Sequence, residues 1–281
     1  MTATAPVSVV IPTVGRPELL SECLRSLERC DPRPAEVIVV DQSGDRSLDE
    51  VVERFPGLGS RLVPLEVRNV AKARNLGLER AGEEVVLFTD DDCTVAPSWV
   101  GAASRLMRED PDRMVTGRVL GQGVDVPSLR EGDRRHDYTG ERRCEVLYTG
   151  NMAAGRSALV DFGGFDDRFA GAAEDLDLCY RWLRAGRRLW FEPELVVWHH
   201  GWRRPEELAE LYRRYWQEQA AFYAKHLRRG DPAILRFVVR DAAHGLLALG
   251  KALLRREPLR LPALRLGLLV AGMAAGLRRG T

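Results

Sequence analysis

Val85-Val86-Leu87-Phe88-Thr89-Asp90-Asp91-Asp92 runs four apolar residues and a threonine into three consecutive carboxylates. The apolar part has the length and character of a strand buried on both faces, the kind found in parallel sheets covered by helices. Three adjacent carboxylates repel one another unless a cation or partner neutralises them. Their position at a strand end favours a cation site over a solvated acidic turn. Working outward, Val7-Ser8-Val9-Val10-Ile11 ends at Pro12 and reads as a first buried strand. Leu19, Leu20, Cys23, Leu24 and Leu27 then recur at helical spacing over 17–29, with Pro17 in the first turn. Glu36-Val37-Ile38-Val39-Val40 is a second strand stopping at Asp41, 62–67 a third apolar stretch, and 70–81 a helix. This alternation predicts a Rossmann-like half with right-handed crossovers.

Ligands of such sheets bind beyond the C-terminal ends of the strands. Thr13 and Arg16, Asp41, and Asp90-Asp91-Asp92 all fall there, on one edge. From 93 to about 200 the pattern is mixed, with strands expected around 114–120 and 188–191, a helix over 175–185, and a polar loop over 121–143. After Trp202 the chain reads as helical, with breaks near 230–232 and 258–262. The organisation expected is therefore 1–92, a Rossmann-like half with ligand-binding strand ends; 93–202, a second half of mixed pattern; and 203–281, a basic, amphipathic helical extension.

The 281 residues are 45% hydrophobic and 30% charged, which sets aside a disordered or collagen-like chain. Lys and Arg number 42 against 41 acidic residues, but the balance is uneven along the chain. From Gly201 onward there are 16 basic against 7 acidic residues, and residues 1–200 hold 26 against 34. Five scattered cysteines with no C-x-x-C argue against a disulfide framework or structural zinc. No signal peptide is read at the N-terminus, and no apolar run reaches the roughly 18 residues of a membrane span. A cytoplasmic protein, peripheral at the inner face of the membrane, is the expectation.

Lys72-Ala73-Arg74-Asn75-x-Gly77 opens a helix whose first-turn amides and basic side chains suit an anion. Neither G-x-G-x-x-G after the first strand nor a G-K-[ST] loop is present, which sets aside Rossmann dehydrogenases and P-loop NTPases. Glu174-Asp175-x-Asp177 follows Gly163-Gly164-Phe165-Asp166; it either caps a helix or supplies a general base. Trp198-His199-His200-Gly201 closes an apolar run, and strand alternation turns the two histidines to opposite faces.

Taken in order, Val9-Val10-Ile11-Pro12-Thr13, Val39-Val40-Asp41, Ala73-Arg74-Asn75-x-Gly77, Thr89-Asp90-Asp91-Asp92, Gly163-Gly164-Phe165-Asp166, Glu174-Asp175 and Trp198-His199 resemble family 2 glycosyltransferases. The resemblance covers about residues 7–201. It implies a GT-A fold, a mixed, mostly parallel Rossmann-like α/β sheet flanked by helices, with a C-terminal helical extension. It further implies inverting transfer of a sugar from a nucleoside diphosphate (UDP, dTDP or GDP) to an acceptor hydroxyl on a glycan or lipid carrier, with Mg2+ or Mn2+. On this resemblance Thr13, Arg16, Asp41, Arg74, Asp90 and Asp91 bind the donor nucleotide, and Asp92 and His199 hold the metal. Asp175 is the catalytic base, and Gly150, Asn151 and Glu174 lie at the acceptor or donor sugar. Val14 stands where some relatives carry an aromatic that packs on the base. A sugar nucleotidyltransferase, or a sugar-nucleotide-binding subunit without catalysis, are the alternatives. The extension pairs arginines with apolar helices, which suits an anionic membrane surface, packing on the core, or a homodimer; no nucleic-acid motif accompanies the charge.

Overall fold

A computed structural model describes residues 3–45, 47–123, 129–255 and 260–278. The chain forms two compact units, Met1–Trp202 and Arg203–Thr281. In the first, β1 (Thr4–Thr13), β2 (Arg33–Asp41), β3 (Ser60–Pro64) and β4 (Val85–Thr89) are all parallel, in the order β3-β2-β1-β4. They are linked by α1 (Pro17–Glu28), the short α2 (Asp49–Glu53) and α3 (Val70–Arg80). Beyond them come β5 (Cys93–Val95), α4 (Trp99–Glu109), β6 (Met114–Gln122), β7 (His136–Asp137), β8 (Asn151–Gly155), α5 (Arg156–Asp161), α6 (Glu174–Arg184) and β9 (Leu189–His200). Here β8 runs antiparallel to β4 and to β6, β9 parallel to β6, and β5 and β7 antiparallel to β9. One mixed sheet thus spans both halves of the unit, and no break falls at residue 92.

Strand alternation gives the sheet two apolar faces. Val7, Val9 and Ile11 of β1 point into one core with Leu20 and Leu24 of α1 and Trp99 and Leu106 of α4. Val10 points into the other, with Ala73 and Leu78 of α3 and Leu178 and Trp182 of α6. Each valine, leucine or isoleucine among them, taken wholly from water, contributes about 1.5–3 kcal/mol before the cost of ordering the chain. Gly77 lets α3 lie directly on β1, since a Cβ there would sit 2.2 Å from Val10 Cγ1.

Three expected elements differ in extent. The 62–67 stretch is strand only to Pro64, and Val67 is 47% exposed; a proline that cannot donate is tolerated on this edge strand. The expected strand at 188–191 and the apolar run before His199 are one strand, β9, whose pairing with β6 slips between Gly117 and Arg118. The polar stretch 121–143 contains the end of β6 and the small β7; its residues 124–128 lie outside the described residues.

The second unit is helical: α7 (Pro205–Arg228), α8 (Leu235–Arg255) and α9 (Arg260–Arg278). The expected break at 230–232 is a Gly230 turn and a 3-10 turn at Pro232–Ile234. Of the expected break at 258–262, residues 258 and 259 lie outside the described residues, and α9 takes Pro262 into its first turn. Glycines permit close crossings: a Cβ at Gly272 of α9 would lie 2.6 Å from Ala220 Cβ of α7, and one at Gly245 of α8 2.6 Å from Leu266 Cδ2 of α9. Buried Asp241 accepts from Tyr223 Oη at 2.7 Å and Gln219 Nε2 at 2.8 Å. Among the described residues no helix is long and apolar enough to cross a membrane.

Candidate active site

Register assembles the site. Thr13 pairs with Asp41 across β1 and β2, Thr89 with Asn151 across β4 and β8, and Cys93 with His199 across β5 and β9. The carboxylates that follow β4 therefore lie between the ends of β1 and β2 on one side and of β9 on the other.

The three aspartates have three environments. Asp90 is the most open of them: its carboxylate accepts from Arg74 Nη2 at 2.8 Å and from Tyr148 Oη at 3.4 Å. Gly150 lies against it, where a Cβ would come within 2.7 Å of Asp90 Oδ2. Asp91 is fully enclosed, accepting from Thr13 Oγ1 at 2.6 Å and Arg16 Nε at 2.9 Å, with Arg16 Nη2 on its other oxygen. Burial lifts its pKa to about 7, against the pull of Arg16. Asp92 is nearly enclosed, accepting from Trp202 Nε1 at 2.8 Å and Arg16 Nη1 at 3.1 Å, with His199 Nε2 3.5 Å away. Burial alone would favour its neutral form, but His199, Arg16 and Trp202 outweigh that and hold it below the usual carboxylate range. The Arg16 guanidinium also stacks over Trp202, 4.6 Å from the ring centre.

Arg74 ties the second acidic pair to the first. From the fifth residue of α3 it donates to Glu174 Oε1 at 2.7 Å as well as to Asp90. Burial opposes its charge, yet Asp90 and Glu174 more than compensate and its pKa is raised. The loop before α6 is pinned to the same helix, because Asn75 donates to Phe165 O at 2.8 Å and accepts from Phe165 N at 2.9 Å. Gly164, at φ +57°, has no Cβ to strike Asn75 Oδ1, which would lie 2.6 Å away. α6 therefore begins beside the strand-end carboxylates. There Asp175, half-buried, is pushed up to about 7 by burial and by Glu174, with Arg74 opposing. Among the described residues, Glu174 Oε2 and Arg74 Nε are buried without a hydrogen-bond partner, a condition native sites satisfy with ligand or water.

Asp90, Asp92 and Cys93 can place ligand atoms within 4.8 Å of one another. Burial pushes the Cys93 thiol well above its ordinary pKa, so it stays protonated and is a poor ligand. The remaining donors are carboxylate oxygens, which suit magnesium or manganese. Of the two histidines, His199 is buried beside Asp92, whereas His200 Nε2 faces Thr94 Oγ1 at 3.1 Å.

Several expected contacts are redirected. Asp91 does not face the site, because both its oxygens are held inside by Thr13 and Arg16; the Thr13 hydroxyl is committed to it. Asn151 is wholly buried: it accepts from Trp99 Nε1 at 2.8 Å and donates to the carbonyls of Arg118 and Leu195 at 2.8 and 2.9 Å, locking three elements together. Asp41 keeps 4% of its surface exposed, and its oxygens accept from Ser43 N and Oγ at 2.8 and 2.9 Å. Tyr148 and Trp202 join the site without having been read from the sequence. Trp202, two residues beyond the histidine pair, was the one with a positional signal.

A parallel Rossmann-like half carrying strand-end carboxylates, extended by antiparallel strands that bring a second acidic pair to the same edge, is the GT-A architecture. Residues 8–169 match glycosyl transferase family 2, over half of the chain, and the chain belongs to that family. It is 31% identical over 212 residues to glycosyltransferase AglE of Haloferax volcanii, covering 71% of this chain and 68% of that protein. It is 29% identical over 230 residues to the pre-mycofactocin glycosyltransferase of Mycobacterium tuberculosis, covering 77% of this chain but 46% of that protein's length. Against N-acetylglucosaminyl-diphospho-decaprenol L-rhamnosyltransferase of the same organism it is 29% identical over 244 residues, covering 71% and 77%. Among solved structures, the mannosyltransferase PcManGT of Pyrobaculum calidifontis, in complex with GDP-Man and Mn2+, has a TM-score of 0.67 at 21% identity, covering 100% of this chain and 89% of that one. Staphylococcus aureus TarS 1–349 in complex with UDP-GlcNAc has a TM-score of 0.63 at 19% identity, covering 99% and 90%.

Proposed function

We propose that the protein is an inverting glycosyltransferase that moves a sugar from a nucleoside diphosphate (UDP, dTDP or GDP) to an acceptor hydroxyl. Its setting is the synthesis of a cell-surface glycan or glycolipid at the inner face of a membrane. The observation that carries the reading is the Arg74 bridge, which links Glu174, the neighbour of Asp175, to the strand-end carboxylate of Asp90. Asp175, with a pKa near 7, is matched to accept the acceptor's hydroxyl proton as the new bond forms. Asp41 and Asp90 offer carboxylate oxygens to the base and ribose, and Arg16 and Arg74 supply positive charge along the diphosphate's path. Glu174 Oε2, with no hydrogen-bond partner among the described residues, is a ready acceptor for a sugar hydroxyl. Asp92, with Asp90 and His199 beside it, would hold a magnesium or manganese ion, which when bound supplies Lewis-acid stabilisation of the departing diphosphate.

The names of relatives agree with this setting, since one of them is a diphospho-decaprenol rhamnosyltransferase. A thermal-shift panel of UDP, GDP, dTDP and CMP, each with and without manganese, tests the proposal. Expected is stabilisation by one nucleoside diphosphate that needs the metal and disappears in Asp92→Ala, because a ligand of the folded state raises stability in proportion to its occupancy. A metal-independent response, or one unchanged in Asp92→Ala, removes the metal site from the account.

A further inference from the structure

We propose that the outward face of α8 is a docking surface for an anionic lipid bilayer. Leu235, Val239, Leu246, Leu247, Leu253 and Leu254 are 46%, 65%, 61%, 62%, 58% and 87% exposed. At 100° per residue these six fall within about 120° of one another around the helix axis. The opposite side carries Phe237, Asp241, Gly245 and Ala252, all buried. Such a length of contiguous exposed leucine and valine is far from the scattered single apolar residues of an ordinary soluble surface.

Charge selects the occupant. The exposed or half-exposed ionisable residues of α8 are Arg236, Arg240, His244, Lys251 and Arg255. The helix's one carboxylate, Asp241, is buried and held by Tyr223, Gln219 and Arg240. From Leu235 to the end the sequence has nine Arg and Lys against two acidic residues, Asp241 and Glu257. A protein interface core is depleted of charge and enriched in aromatic residues, and this stripe of leucine and valine has none. An apolar stripe bordered by cations alone is the pattern of a helix lying in the headgroup layer, its leucines reaching the acyl boundary and its arginines the lipid phosphates. No helix of the described residues is apolar enough to span a membrane, so the contact is in-plane and reversible. This deepens the membrane-side setting proposed above and rests on it for its biological sense, while its test needs no sugar donor.

The experiment is co-flotation of the full chain with vesicles of phosphatidylcholine alone or with about 30 mol% phosphatidylglycerol, at low and high salt. Binding to the anionic vesicles, lost on adding salt and much weaker with phosphatidylcholine alone, is expected. Each basic residue at the surface is worth about fivefold in affinity, so Arg236→Glu with Lys251→Glu, two reversals, should weaken binding at least 25-fold by that scale. Leu254→Glu and Leu246→Gln lie on open surface and should abolish binding while leaving the circular dichroism unchanged. Equal binding to both vesicle types, or none, overturns the proposal. So does a dimer seen by light scattering that dissociates in Leu254→Glu without any vesicle binding, which assigns the face to a second copy. Nucleoside-diphosphate stabilisation measured on the same samples separates a failure here from a failure of the transferase reading.

Discussion

Replacing Arg74 by Met keeps the aliphatic stem of the side chain and removes both of its ion pairs. In the native protein the guanidinium donates to Glu174 at 2.7 Å and Asp90 at 2.8 Å, with Arg74 and Glu174 side chains only 4% and 8% exposed. Removing one member of a buried ionic group typically costs about 3–5 kcal/mol, because the partners stay desolvated with no compensating charge. With a urea slope of about 2 kcal/mol/M, the unfolding midpoint should fall by about 1.5–2.5 M at pH 8. Adding Glu174→Gln should recover part of it at pH 8, since the double variant no longer buries that charge. The assay is urea unfolding of the wild type and both variants at pH 8, followed by near-ultraviolet circular dichroism. A midpoint shift under about 0.5 M at pH 8, or no recovery in the double variant, would refute the bridge as a buried structural tie.

Other consequences follow from the same geometry. Asp175 has a pKa of about 7 in the folded protein against about 3.9 for a free aspartate. The folded state therefore holds its proton more tightly, and stability falls as pH rises from about 4 to about 7. Asp175→Asn should accordingly raise the melting temperature at pH 8 and leave it unchanged at pH 4; equal shifts at both would contradict the assigned cause. Turnover requires the deprotonated base, so kcat/KM should climb with pH to a plateau above about 7. A flat profile from pH 5.5 to 8 removes that link. Gly150→Ala places a methyl 2.5 Å from Tyr148 Cε1 and 2.7 Å from Asp90 Oδ2. Overpacking of this kind costs about 1–3 kcal/mol, and here it should appear as weaker nucleotide binding by titration calorimetry.

The parallel half was legible because its signals are local. β1, β2 and β4 are continuous apolar runs, each ending in a polar residue, and α3 begins at Val70 as read, capped by Asn69, whose side chain accepts from Lys72 N at 2.9 Å. The remainder depends on pairing that no local pattern encodes. β8 reads Asn-Met-Ala-Ala-Gly, with no β-branched residue, and is a strand because β4 and β6 flank it. β5 is three residues long and exists through its ladder with β9. α4 went unread among the mixed signals after Cys93, although six of its residues are buried. At the site, the residue types were readable but their directions were not. Asn151 carries the polarity of a ligand-binding residue and spends it inside, where Gly117 clears room for it beside Leu195 O. Alternation did separate His199 from His200, because period two is a property of any strand. Arg16 and Arg74 read as nucleotide contacts, and the structure gives each a second duty as the counter-charge that lets buried carboxylates stand together.

As the proposed base of the sugar transfer, Asp175 should act on turnover and leave donor binding to other residues. The most direct measurement compares wild type and Asp175→Asn for donor turnover, read as nucleoside diphosphate released, and for affinity toward the same nucleoside diphosphate with manganese. Unchanged affinity is expected, with turnover lowered by at least about two orders of magnitude, the usual loss on removing a general base. Turnover within about threefold of wild type at equal affinity would contradict it.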